Sequence, residues 1–105
     1  MLCRDCLMHL PYNYIWEFLR NFVRSNIPYL LTTTHANPKN RDIAAPGGFH
    51  KINLRAEPFS FPDPPVLLHD WIRGARWPER HVGLWTREDI LEVLLKAQQP
   101  QDGAA

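Results

Sequence analysis

The chain carries no excess of charge of either sign, with 12 Lys plus Arg set against 11 Asp plus Glu. The basic stripe of a nucleic-acid binder or an anionic-membrane binder is therefore missing, and neither partner is expected. Long hydrophobic runs are lacking too. Stretches such as Val66-Leu67-Leu68 and Leu94-Leu95 fall far short of the roughly 20 apolar residues of a bilayer span. Met1-Leu2-Cys3-Arg4-Asp5 puts charges of both signs where an export signal would need an apolar core, so a soluble, cytoplasmic protein is expected. Cysteine is scarce: Cys3 and Cys6 are too few for a disulfide framework and would stay reduced in the cytosol. Their C-x-x-C spacing suggests zinc or redox chemistry, but a closed zinc site needs two more ligands. No second such pair exists, and although His9, His35 and His50 could in principle assist, no metal is expected. At 105 residues the chain fits one small domain, whose short length leaves a large share of apolar surface wet and stability thin.

Proline, by contrast, is abundant. Most of the ten prolines lie between residues 38 and 78, which breaks up regular structure there. Around that middle the pattern is clearer. Residues 1–10 read as the end of a buried strand running into a polar loop. Ile15, Leu19, Phe22 and Val23 recur at spacings of three, four and seven, which predicts a helix from Pro11 to about Asn26. Tyr29 to Thr34 is aromatic and β-branched, hence a strand. Residues 35–65 form a long Pro-rich loop, with short extended pieces around Lys51 to Leu54. Val66 to Ile72 and His81 to Thr86 predict an antiparallel hairpin. Thr86 and Asp89 resemble a capping box opening a helix with Ile90, Leu91, Leu94 and Leu95 as its apolar stripe, ending near Gln98. Residues 99–105 have nothing to bury and are expected to fray.

Cys3-Arg4-Asp5-Cys6-Leu7-Met8-His9-Leu10-Pro11, Tyr29-Leu-Leu-Thr-Thr-Thr34, Asn40-Arg-Asp-Ile43, Asn53-Leu54 with Pro58-Phe59 and Phe61-Pro62, and Gly83-Leu-Trp85 stand in this order. Together they resemble class I S-adenosylmethionine-dependent methyltransferases over residues 2 to about 90. The resemblance implies an α/β fold, the C-terminal half of a Rossmann-like sheet in which parallel strands precede an antiparallel hairpin. Residues 2–8 would be the fourth strand and the loop after it, residues 29–34 the fifth strand and the hairpin the sixth and seventh, lying in space as fourth, fifth, seventh, sixth. Residues 1–98 would form this partial domain. The glycine-rich turn and acidic residue of the cofactor cleft are not found, since the only adjacent glycines, Gly47-Gly48, sit in the Pro-rich loop. A truncated frame, a fragment or a split gene is implied. S-adenosylmethionine would serve the complete enzyme, and none is expected to bind this chain alone.

Ligands of open α/β sheets sit beyond the carboxyl ends of the strands. The resemblance accordingly directs attention to Arg4, Asp5 and His9 after the first strand here, with Asp5 and His9 as candidate general bases. The ordinary alternatives are an ion pair or cap for Asp5 and simple packing for His9. His35, Asn40, Arg41 and Asp42 follow the next strand and are candidates to contact the acceptor from a lid-like loop, a solvated connection being the alternative. Trp71, Trp77 and Trp85 are read as core. The leading reading is methyl transfer to an unidentified acceptor. The alternative is a non-catalytic binding module, degenerate or completed by another chain. Self-association through the exposed edge of the first strand is expected, because residues Leu2 to Leu7 would lack a neighbour on one side.

Overall fold

The computed structural model describes residues 1–4, 6–43, 47–48, 50–69 and 80–98. They form a small α/β unit: β1 (Leu2–Cys3), a single 3-10 turn (Leu7–His9), α1 (Tyr12–Arg24), β2 (Tyr29–His35), β3 (Val66–His69), β4 (Arg80–Thr86) and α2 (Arg87–Gln98). The sheet is mixed, in the order β1-β2-β4-β3. β1 runs parallel to β2, with Leu2 beside Leu31 and Cys3 beside Thr32. β4 is antiparallel both to β2 and to β3. The expected parallel pair followed by a hairpin is thus present. No helix among the described residues is long and apolar enough to cross a membrane.

α1 forms where the apolar period placed it, and Ile15, Leu19, Phe22 and Val23 are its buried residues. Pro11 is not the first helical residue, as expected, but the cap itself, its carbonyl accepting from the backbone N–H groups of Tyr14 and Ile15. A proline side chain cannot accept the remaining amide, so the cap comes from the distant Asp42 carboxylate. Asn26 ends the helix in the left-handed region at φ 62°. At α2 the capping box is reciprocal: Asp89 N–H donates to Thr86 Oγ1 and Thr86 N–H to Asp89 Oδ2, both at 3.1 Å.

Both helices pack on the sheet face that carries Cys3, Leu30 and Trp85, and one apolar core joins them. Trp85 is fully buried, as expected, and its indole N–H donates to the Pro62 carbonyl at 2.8 Å. Each such large side chain contributes roughly 1.5–3 kcal/mol by leaving water. The indole lies over Gly83, where a Cβ would fall 2.5 Å from its ring. The opposite face lines up Leu2, Leu31, Leu84 and Val66 in one row across all four strands. Trp71 and Trp77, the end of the strand expected to reach Ile72, and the tail 99–105 lie outside the described residues.

Two expectations need correction. The first strand does not reach Leu7: it ends at Cys3, and Leu7 and Met8 are buried in the 3-10 turn rather than paired. The backbone carbonyls of Met8 and His9 are occupied instead by His50 N–H and Gly47 N–H. The long connection between β2 and β3 is irregular but packed. Ile52, Leu54, Phe59 and Phe61 are part of the core, and His35 N–H, from β2, donates to the Ile52 carbonyl at 2.7 Å. Such a segment is anchored in its second half rather than solvated.

Candidate functional site

β1 and β2 are parallel, so their carboxyl ends lie at one end of the sheet, and β4 begins there. Arg4 follows β1, His35 closes β2 and Arg80 opens β4 as the register partner of His35. His35 and Arg80 are both buried. Burial pulls the Arg80 guanidinium below its ordinary value, and the charge of Arg4 pulls it further. Two guanidinium groups therefore share this end of the sheet.

The histidines nearby have defined hydrogen-bond partners. His35 Nδ1 lies 3.1 Å from the Ile52 N–H and 3.3 Å from the Ile52 carbonyl, so the backbone of Ile52 can hold either tautomer of the ring. His9 Nδ1 lies 2.9 Å from the Gly48 carbonyl and so carries a proton, which makes Nε2 the basic nitrogen of the neutral ring. His50 reaches two carbonyls, Arg41 at 2.6 Å from Nδ1 and Leu10 at 2.8 Å from Nε2. A neutral imidazole can donate to only one of them. Its ring stacks on Tyr12 at a centroid distance of 5.9 Å. Burial raises the Tyr12 phenol above its ordinary value, and the nearby charge of Asp42 adds to the effect.

The residues expected to contact an acceptor fall into two groups. His9, Arg41 and Asp42 converge where Arg41, Asp42, Gly48 and His50 meet the 3-10 turn and the start of α1. Asp42 Oδ1 accepts from Tyr12 N–H at 2.9 Å and Ile43 N–H at 2.8 Å. Asn40 faces the other way: its side chain brackets Asn53, accepting from Asn53 N–H and donating to the Asn53 and Glu57 carbonyls, each at 2.8 Å. Those bonds shape the loop. Arg4 and His35 stand at the strand ends, while Asp5 lies outside the described residues. Arg80, His50 and Tyr12 belong to this region and were not singled out for it by sequence. The signal for Arg80 was a cation opening a strand, which is common on surfaces; the bonds of Tyr12 to Asp42 and of His50 to Leu10 span 30 and 40 residues and leave no local pattern.

The Cys3 and Cys6 thiols are free. Among the described residues no group of three or more His, Cys, Asp or Glu converges as a metal site would require. A groove of about 530 Å³ between α1, α2 and the turn at 57–60 is lined by Trp16, Phe59, Glu57 and Lys96 among others, and it shares no residue with the strand-end cluster.

Comparison with protein-family models, with curated proteins and with solved structures returns no match in any of the three.

Proposed function

We propose that this chain is the acceptor side of a methyltransferase with a Rossmann-like sheet that uses S-adenosylmethionine, completed by a further segment that grips the cofactor. The observation that carries the reading is the strand order β1-β2-β4-β3, parallel in the first pair and antiparallel in the others. It is the order the resemblance implies for the fourth, fifth, seventh and sixth strands. In this reading the end of the sheet bearing Arg4, His35 and Arg80, together with His9 in the 3-10 turn that follows β1, faces the acceptor, following the rule that ligands bind beyond the carboxyl ends of parallel strands. His9 Nε2 is the nitrogen suited to take a proton from the acceptor, and Arg4 and His35 orient it. Asp5, next to Arg4 in sequence and outside the described residues, remains the other candidate general base. Asn40, Arg41 and Asp42 act through the loop that covers this end.

The residues present do not fit the cofactor by themselves. No glycine-rich turn follows either parallel strand, and two cations occupy the strand ends where a sulfonium would have to approach. Methyl transfer in such a catalyst is an in-line displacement aided by positioning and desolvation, and this chain supplies the positioning part. The lack of a glycine turn also favours a second reading, a binding module that has no catalytic role.

The test is calorimetric titration of S-adenosylhomocysteine into the 105-residue chain and into the same chain extended by whatever open frame precedes it. No heat from the short chain and a dissociation constant of about 10 μM or tighter for the extended one are expected. Tight binding by the short chain, no binding by the extended protein, or the absence of such a frame would overturn the reading in favour of the binding module.

A further inference from the structure

The acceptor reading gives His69 and His81 no role, yet the sheet sets them side by side. His69 closes β3, His81 is the second residue of β4, and the two are register partners in the antiparallel ladder. Directly opposed residues project from the same face of a sheet, with Cβ atoms about 4.5–5.5 Å apart. The rings accordingly meet, their centroids 5.5 Å apart and their planes at 88°. β3 is an edge strand, the last in the order β1-β2-β4-β3, and His69 is exposed there while His81 is half-buried. Solvent reaches the pair.

We propose that His69 and His81 form a two-imidazole chelate for a divalent transition-metal ion of the zinc or nickel type, with water filling the remaining positions. Imidazole suits these ions, and two neighbouring nitrogens are enough for an open site. The spacing agrees. A metal–nitrogen bond of about 2.0–2.1 Å places the ion roughly 3.2 Å from each ring centre, so a tetrahedral angle sets the two centres about 5 Å apart. The observed 5.5 Å is close to that. The rings need only turn about the Cβ–Cγ bond, a soft torsion in histidine, to aim one nitrogen each at a common point. A closed site would need more ligands, and among the described residues no third His, Cys, Asp or Glu joins the pair. The ion therefore keeps exchangeable positions. Once bound it ties the edge strand β3 to β4, and a ligand that prefers the folded hairpin stabilises it by mass action.

The test is calorimetric titration of nickel chloride into the native chain at about pH 7.5, above the ordinary imidazole range, beside His69→Asn and His81→Asn. One ion per chain should bind, and either substitution should weaken binding at least about tenfold, because the second nitrogen no longer acts at high effective concentration. Proton NMR supplies the location. Paramagnetic nickel should broaden the imidazole signals of two of the five histidines, and they should be the signals that disappear one in each variant. Absence of binding at about 1 mM nickel, or less than about tenfold weakening by either substitution, overturns the proposal. Broadening of other histidines overturns it as well. His69 is exposed at a strand end, so His69→Asn should fold even if His81→Asn does not, and it then decides the question alone.

Discussion

Asp42 closes the N-terminus of α1 from 30 residues away, its Oδ1 accepting the Tyr12 N–H at 2.9 Å. Pro11 cannot do this, and no residue near it in sequence does. The carboxylate also meets the positive end of the helix, which adds to the attraction. Asp42→Ala should therefore cost about 1 kcal/mol of stability, with Asp42→Asn recovering most of it. Denaturant unfolding of the three proteins checks this. If both substitutions leave the midpoint unchanged, the cap is not made in solution, and Asp42 becomes available again as an acceptor contact.

Gly83 is fixed by Trp85 rather than by its own backbone. The indole of Trp85 lies across the Cα of Gly83, and an added methyl group would meet the ring at 2.5 Å. The ring is fully buried and tied to the Pro62 carbonyl, so it has nowhere to go. Gly83→Ala should destabilise the chain by about 1–3 kcal/mol, a cost of overpacking. It should also blue- or red-shift and broaden Trp85 fluorescence. A variant with wild-type stability would mean that the indole can move aside.

Much of the framework was legible because its signals are local. The period of Ile15, Leu19, Phe22 and Val23, and the Thr86 and Asp89 pair, act within a few residues, and both helices formed where read, although α2 buries Ile90, Val93 and Leu94 and leaves Leu91 and Leu95 of the expected stripe exposed. β1 was not legible in length. Leu7 and Met8 look like strand residues, but the amides of Gly47 and His50, some 40 positions on, hold this segment in a turn. The site divides in the same way. Arg4, His9 and His35 follow from strand ends, whereas the capping of α1 by Asp42 and the bracket between Asn40 and Asn53 depend on how the Pro-rich loop folds back. A composition of prolines and asparagines announces a loop without telling what the loop holds.

Tyr12 offers a test of burial with a sign that differs from most substitutions. Its hydroxyl is buried and makes no hydrogen bond among the described residues, while its ring packs edge-on against Phe59. Tyr12→Phe keeps the packing and removes the unsatisfied group, so stability should stay level or rise by up to about 1 kcal/mol. The raised phenol value sets a pH dependence as well. The folded state holds the neutral form past the point at which the unfolded chain ionises, so this contribution is complete below about pH 10 and is lost as pH rises further. Melting temperature should fall more steeply above pH 10 in the wild type than in Tyr12→Phe. Parallel curves, or a clear loss of stability in Tyr12→Phe, would mean that the hydroxyl has a partner.

The last expectation concerns the edge at β1. Leu31 N–H bonds to the Met1 carbonyl, so residues 1 and 3 turn their backbone groups toward β2 and Leu2 turns its own away. Among the described residues no strand meets that side, and Leu2 is 65% exposed. The open edge is shorter than residues Leu2 to Leu7, because Leu7 is buried in the 3-10 turn. Next to it runs the apolar row Leu2, Leu31, Leu84 and Val66, with Leu68 exposed nearby. An unpaired strand beside an apolar sheet face recruits another chain, and the charge of Arg4 is the main deterrent close by. Light scattering at about 100 μM should show association that weakens in Leu2→Lys, which places a charge at the centre of the edge. Leu2→Pro should weaken it too, by removing the outward N–H. A wild type that stays monomeric at that concentration would show that the edge is covered in solution. Association unchanged by either substitution would move the contact to the β3 side, where Val66 and Leu68 are the exposed residues to change next.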